Sequence, residues 1–276
     1  MTKVNGTNRS RSVFKRSKEP RIPVMELFGP TIQGEGLMTG TLTHFLRTGG
    51  CGLACKWCDS LFAVKPKLIK KYRTMMTVPE IIQTVEGMGV VPYITFTGGD
   101  PCLHQHLGDT IPAFNSMGLR VAVETQGQLF PEWLEKADVV TFSPKGPSSG
   151  NIMDDIEPLY AWLNSHSPRR TFRICIKVVV FNSEDFTYAK ALYETMHHTW
   201  YDAFYFTAGT PMLAPPGKGE GEMEQWASDR VIGVLESQQK LATKLINVAR
   251  TMQFNDKVHL GSQQHVLIWP NQEQGV

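Results

Sequence analysis

Three of the five cysteines fall within one short stretch, Cys51-Gly-Leu-Ala-Cys55-Lys-Trp-Cys58. Thiolates are the usual ligands of iron–sulfur clusters, and a loop this short can wrap three of them around one cubane. Three thiolates leave one iron of a 4Fe–4S cluster open, where the amino and carboxylate groups of a small molecule can chelate it. The competing assignment is a zinc site completed by a His or a fourth Cys from elsewhere. Zinc sites usually pair their ligands as two separated knuckles, and no second pair exists here. Cys102 and Cys175 stand apart and read as buried hydrophobes. An odd count, with three cysteines packed together, does not describe a disulfide framework.

A second constellation, Thr97-Gly98-Gly99-Asp100-Pro101, lies about 40 residues further on. Glycines at such a turn let a ligand approach the backbone closely. The acid suits an ammonium group. An ordinary strand-end turn would look the same, and the motif gains weight only from its position one strand after the cysteine loop.

The elements that must carry these residues alternate. Candidate strands are Thr43–Thr48, Tyr93–Thr97, Val121–Glu124, Val139–Ser143, Ile174–Phe181, Phe204–Thr207 and Val266–Trp269. Several are unbroken β-branched and aromatic runs, as expected of parallel strands buried on both faces. Helical patterns lie between them at Val78–Glu86, Leu107–Met117, Glu184–His197 and Met223–Ala249. The first opens after Thr77, with Glu80 at capping-box spacing. Repeated strand–helix–strand units predict an α/β fold, a parallel sheet curled as a partial TIM-like (β/α)6 barrel with outer helices. Gly49-Gly50, the Gly98–Pro101 turn, Gln126-Gly127 and Pro144-Lys145-Gly146 each follow a strand, so they should converge at the carboxyl ends where such folds bind ligands. Ala208–Gly221 is rich in Pro and Gly and reads as a loop or lid.

Composition sets the limits. The 276 residues are 41% hydrophobic and 20% charged, ordinary for a soluble globular chain. No apolar run approaches the roughly 20 residues of a membrane helix, and the polar N-terminus is no secretory signal, which points to the cytoplasm. Residues 1–21 carry seven Lys/Arg and one acid, and the remainder carries 21 bases against 25 acids. The division expected is a basic flexible tail, 1–21, and one catalytic domain, 22–276. The tail reads as a solvated leader rather than a nucleic-acid-binding arm or an Arg/Ser-rich transit peptide.

The cysteine loop followed by a Gly-Gly-acid-Pro turn resembles the radical S-adenosylmethionine (SAM) superfamily. Within it, the chain resembles the 7-carboxy-7-deazaguanine synthase family. The matching stretches are Ile22-Pro-Val-Met-Glu-Leu-Phe-Gly-Pro-Thr-Ile-Gln-Gly-Glu-Gly36, Phe45-Leu-Arg-Thr-Gly-Gly-Cys51, Trp57-Cys-Asp-Ser60, Glu124-Thr-Gln-Gly127, Ser143-Pro-Lys145, and the ending Trp269…Gly275-Val276. They span nearly everything after the tail. The resemblance implies a ring contraction of 6-carboxy-5,6,7,8-tetrahydropterin to 7-carboxy-7-deazaguanine, with release of ammonia, on the route to 7-deazapurines such as queuosine. It also implies a 4Fe–4S cluster, catalytic SAM, assisting Mg²⁺, an electron donor such as flavodoxin or ferredoxin, and a homodimer.

Residue by residue, it implies that Cys51, Cys55 and Cys58 hold the cluster and that Ser60 is a Mg²⁺ ligand. Trp57, Cys58, Asp59, Gly99, Ser143, Pro144 and Lys145 match SAM contacts. Ile32, Gln33, Gly34, Glu35, Arg47 and Thr97 match substrate contacts. A guanidinium at position 47 can grip a carboxylate bidentately, although a surface salt bridge would look the same. Gln33 and Glu35 suit the donor–acceptor edge of a pterin, although a polar turn between glycines is the plainer account. Asp59-Ser60 would otherwise read as a helix cap. The sequence departs from the wider pattern at Asp100, where the superfamily often has Glu. It also departs at Thr207-Ala208-Gly209-Thr210, where the later SAM segment falls, and in the Ala208–Gly221 loop and the tail, which have no clear counterpart. Two other functions stay open on residues alone: a radical SAM activase of another protein, and a non-enzymatic zinc-binding module. If three cysteines suffice for the cluster, replacing Cys102 and Cys175 together with Ala leaves iron content unchanged in a folded protein, while Cys55→Ala abolishes SAM cleavage. Iron lost from the double variant with its fold intact would contradict the three-ligand assignment.

Overall fold

The computed structural model describes residues 19–151, 155–166, 169–213 and 221–270. Most of the basic tail, half of the expected lid and the Gly275-Val276 ending lie outside the described residues. In chain order the elements are β1 (Ile22–Ile32), β2 (Leu42–Thr48), α1 (Leu61–Val64), α2 (Pro66–Tyr72), β3 (Thr74–Met76), α3 (Val78–Glu86), β4 (Tyr93–Gly98), α4 (Ile111–Ser116), β5 (Arg120–Thr125), β6 (Val139–Phe142), α5 (Glu157–Ser165), β7 (Arg173–Val180), α6 (Ser183–Met196), β8 (Ala203–Ala208), α7 (Glu222–Val248), β9 (Val258–Gly261) and α8 (Gln264–Ile268).

The strands form one sheet in the order β3-β1-β2-β4-β5-β6-β7-β8-β9. From β2 to β9 every neighbouring pair is parallel. β1 is antiparallel to both β2 and β3. The six expected strands β2 and β4–β8 are present, each with its crossover segment. Their apolar runs are buried on both faces, as the unbroken β-branched sequence requires. The sheet curls without closing. The turn at Gly36–Met38, which follows β1 near one edge, packs against β7 and β8 far along the strand order. A flat sheet would hold those elements far apart.

One large core fills the space between sheet and helices. Phe96, Phe114, Trp133, Phe142, Phe204 and Phe206 supply much of its bulk. Helix α3 begins as its sequence predicts. The Thr77 hydroxyl accepts from Glu80 N at 3.4 Å, and the Glu80 carboxylate accepts from Thr77 N at 2.7 Å. Its inward face carries Ile81 and Val85.

Three expectations are corrected. Val266–Trp269 is not a strand: its first three residues close α8, and the seventh parallel strand is β9. A four-residue apolar run has no period that separates helix from strand. The helix expected over Leu107–Met117 is split into a 3₁₀ segment, Gln105–Thr110, and the short α4. Pro112 falls in the first turn of α4, where a proline starts a helix but cannot continue one. The sequence pattern also gave no sign of β1, whose run is broken by Pro23, Glu26, Gly29 and Pro30.

Candidate active site

The β2 and β4 strands run in parallel register from Thr43 opposite Tyr93 to Thr48 opposite Gly98. Arg47 and Thr97 therefore leave the sheet side by side, and the cysteine loop and the Gly-Gly turn emerge together. The turn glycines serve this junction. Gly98 has φ +138°, and a Cβ there would lie 2.1 Å from the Thr48 carbonyl oxygen. A Cβ on Gly99 would lie 2.0 Å from the Gly50 carbonyl oxygen. The close approach is bonded: Gly99 N donates to Thr48 O at 3.0 Å and Asp100 N to Gly50 O at 2.7 Å.

Asp100 differs from the sequence expectation. Its carboxylate is fully buried and does not line the cavity. Oδ1 accepts from the Cys102 amide at 3.1 Å and from the Thr125 hydroxyl at 2.8 Å, tying β4 to β5. Burial pushes its pKa up, against these hydrogen bonds. In the described structure it acts as a turn cap rather than as an open acceptor for an ammonium.

A cavity of about 580 Å³ opens at this junction. Besides Asp100, every site residue singled out from the sequence lines it except Pro144, which is buried between Ser143 and Lys145. Cys51, Cys55 and Cys58 form one part of the wall, and all three are free thiols. Cys102 and Cys175 are buried away from the cavity. Burial pushes the three loop thiols up, Cys58 to about 11, so each binds metal only by releasing a proton. Among the described residues, no group of three His, Cys, Asp or Glu could hold a single metal ion. A cubane makes a different demand, because each thiolate takes its own iron. Three unpaired thiols spread along one wall fit a cluster better than a zinc ion.

Beside the thiols, the Trp57 indole lies 5.0 Å from the Phe181 ring and donates to the Ser148 hydroxyl at 2.8 Å. The Lys145 ammonium sits 5.6 Å from the Trp57 ring and donates to the Ser143 hydroxyl at 2.9 Å. Burial, and then the nearby Lys177, pull the Lys145 pKa down.

Arg47 donates from Nε to Glu26 at 2.8 Å and from Nη1 to the Ser60 hydroxyl at 3.0 Å. Ser60 donates in turn to Asp59 at 3.1 Å. One Ser60 lone pair is left for a cation, and three Arg47 N–H groups are left for a ligand.

The wall opposite was only half legible. Gln33 was expected to present its amide to a ligand, but its side chain braces its own turn. Oε1 accepts from Gly34 N at 2.6 Å and Glu35 N at 3.2 Å, and Nε2 donates to Glu124 at 3.2 Å. The Glu124 carboxylate also accepts from the Thr97 hydroxyl at 3.2 Å. Lys177, from the middle of β7, pairs with Glu35 and lies 3.9 Å from Glu124. The Glu35 Oε1 atom is buried in the cavity wall without a hydrogen-bond partner. Gly34 has no room for a side chain, since a Cβ would lie 2.6 Å from the His265 backbone nitrogen. Gln264 N donates to Gly34 O at 3.0 Å, so α8 closes this side. Glu124, Gln126, Lys177, Gln263 and His265 line the cavity without having been singled out as site residues.

Residues 45–144 match the radical SAM superfamily. The curled parallel sheet and its thiol loop put the chain in that class of enzyme. It is 37% identical over 175 residues to the 7-carboxy-7-deazaguanine synthase of Bacillus subtilis, covering 63% of this chain and 72% of that protein. It is 38% identical over 176 residues to the Bacillus cereus protein of the same name, with the same coverage. The crystal structure of QueE from Escherichia coli shares the fold, with a TM-score of 0.54 at 20% identity over 68% of this chain and 84% of that one. The chain belongs to the 7-carboxy-7-deazaguanine synthase family.

The Gly98–Gly99 junction carries a direct prediction. Gly99→Ala drives a methyl group into the Gly50 carbonyl and must push back the backbone that precedes Cys51. Iron content after anaerobic reconstitution should fall severalfold while the far-UV circular dichroism is kept. Full iron loading would show that the glycine does not set the loop.

Proposed function

We propose that this protein contracts the ring of 6-carboxy-5,6,7,8-tetrahydropterin to 7-carboxy-7-deazaguanine with release of ammonia, in 7-deazapurine (queuosine-type) biosynthesis. The observation that carries this reading is one cavity whose wall holds three free thiols, the Arg47 guanidinium and the carboxylate pair Glu35 and Glu124. That wall fits a small acidic heterocycle with an amino edge. An activase would instead need a surface for a polypeptide chain.

Cys51, Cys55 and Cys58 would hold a 4Fe–4S cluster. With SAM bound, the cluster would supply the one-electron chemistry that starts the reaction. Around the cofactor, Lys145 offers a cation for the SAM carboxylate, and Trp57, Cys58, Asp59, Gly99, Ser143 and Pro144 enclose the rest. Arg47 spends its remaining N–H groups on the substrate carboxylate in a bidentate grip. Glu35 takes N–H groups of the pterin's amino edge, and Ile32 and Gly34 shape the floor beneath them. Thr97 gives its proton to Glu124 and so offers the ligand an acceptor.

Mg²⁺ belongs at Ser60. A hard cation wants oxygen ligands, and the substrate and water complete the set. Asp59 fixes the Ser60 proton, which turns the free lone pair outward. We assign residues 22–276 as the catalytic domain; residues 1–18 of the basic segment lie outside the described residues. The protein works in the cytoplasm as a homodimer and takes its electrons from a flavodoxin or ferredoxin.

The test is an anaerobic assay of reconstituted enzyme with the carboxy-tetrahydropterin, SAM and Mg²⁺, run on the parent, Ser60→Ala and Ser60→Thr. The parent should form 7-carboxy-7-deazaguanine. The Ala variant should keep its cluster and SAM binding but lose Mg²⁺ stimulation, because a misplaced substrate can cost on the order of 100-fold in rate. The Thr variant keeps the oxygen and should keep the response. No product from the loaded parent would refute the function, and a Mg²⁺ response in Ser60→Ala equal to the parent's would move the metal elsewhere.

A further inference from the structure

Lys177 is the one charged residue within the apolar strand segment Ile174-Cys-Ile-Lys-Val-Val-Val180. Its side chain is 7% exposed, and that small exposure faces the cavity. A lone ammonium so placed would be strongly penalised, because burial disfavours the charged form. Two carboxylates answer it, Glu35 from the turn after β1 and Glu124 from β5. Burial alone lowers the Lys177 pKa, and Glu35 followed by Glu124 more than reverses this and raises it. Burial alone raises Glu35, and the Lys177 ammonium, helped by His265 from α8, brings it down to about 2. Lys145 also faces the group, and its charge opposes that of Lys177.

Buried ion pairs do not by themselves make a protein more stable. This one costs desolvation of three charges, and packed apolar side chains would fill the same strand position. What it achieves is geometric. Lys177 engages one oxygen of Glu35 and leaves Oε1 in the wall without a partner. That oxygen is shielded from the cavity, but Glu35 and Glu124 both line it, so the lysine holds two acceptor-only groups on one wall. The second carboxylate is held by the Gln33 amide and the Thr97 hydroxyl. The lysine thus sits behind the turn, with both carboxylates between it and several groups read as substrate contacts.

We propose that Lys177 is a positioning residue for the substrate wall: its ammonium bridges Glu35 and Glu124 and fixes both as acceptor-only groups on the side of the cavity that meets the amino edge of the pterin. Kept ionised, the two carboxylates accept N–H donors and reject a ring that offers a lone pair in their place. Selectivity of this kind comes from leaving the wrong ligand unpaired in a buried site. The inference rests on the pterin reading of the cavity, and its test is built to fail separately from that reading.

The parent, Lys177→Met, Lys177→Arg, Glu35→Gln and the Lys177→Met/Glu35→Gln double variant are prepared as iron-loaded holoenzymes with fold checked by circular dichroism. Without substrate, the ¹³C signal of the Glu35 carboxyl is followed at neutral pH. It should read as ionised in the parent and Lys177→Arg, and as wholly or partly protonated in Lys177→Met. With substrate, Lys177→Met should raise KM about tenfold or more, the scale of a lost charge-assisted hydrogen bond, with a much smaller change in kcat. Glu35→Gln should raise KM similarly, and the double variant should be no worse than either, since the two residues act as one unit. Lys177→Arg should restore most of the binding.

A Glu35 carboxyl that stays ionised without Lys177, additive KM effects, or a loss confined to kcat would each overturn the proposal. Failure of Lys177→Met to fold, with Lys177→Gln failing too, would mark the lysine as structural and overturn it as well. If the parent does not turn over the carboxy-tetrahydropterin while the carboxyl signal behaves as expected, the function falls and the Lys177–Glu35 linkage stands.

Discussion

The close approach of the Gly98–Gly99 backbone to Thr48 and Gly50 is the constraint on which the rest of the site depends. Two parallel strands end together there, and no side chain fits between them. The junction fixes Arg47 beside Thr97 and brings the cysteine loop over the same opening. Asp100 closes the arrangement from behind by holding Thr125 and Cys102. A hydrogen bond from Gly50 N to Ala63 O at 2.8 Å ties the far side of the loop, beyond Ser60, into the same knot. The chemistry of a radical reaction asks for such rigidity, because the reactive carbon and the target hydrogen must meet before anything else does.

Around that junction the cavity lining is a balance of opposite charges. Arg47, Lys145 and Lys177 stand against Glu35, Asp59 and Glu124, each engaged by a neighbour. Both signs of charge therefore line one cavity. Perturbed ionisation concentrated in a cleft marks function more often than stability. The thiols add protons that metal must displace, so loading of the cluster is itself coupled to pH.

Much of this was legible in the sequence, for physical reasons. Strands such as Tyr93–Thr97 and Ile174–Phe181 announce themselves because burial on both faces forbids polar alternation. The capping box at Thr77 is a local code read locally. The cysteine spacing and the Gly-Gly turn point to one site because parallel strands send their ends the same way. Other features depended on contacts far along the chain. β1 is an antiparallel strand whose two prolines and one glycine hide its pattern. The run that begins at Val266 falls inside α8, whose first residue, Gln264, bonds to Gly34 O from far along the chain. Gln33 looked like a ligand contact, but only the fold shows that its amide is occupied within the protein. The signal that was present and passed over is the isolated charge inside an apolar strand. Lys177 in β7 and Glu124 at the end of Val121-Ala-Val-Glu124 both carry it, and a charge so placed must find a partner across the sheet.

The central claim is that the thiol loop and the acceptor wall serve one reaction in one cavity, so that hydrogen passes between substrate and cofactor. The most direct measurement uses carboxy-tetrahydropterin deuterated on its saturated ring carbons. After anaerobic turnover, SAM and 5′-deoxyadenosine are recovered and analysed by mass spectrometry. The account predicts deuterium in the recovered nucleoside carbon, and only when substrate is bound. Nucleoside formed at the same rate with or without substrate, and free of deuterium, would contradict it.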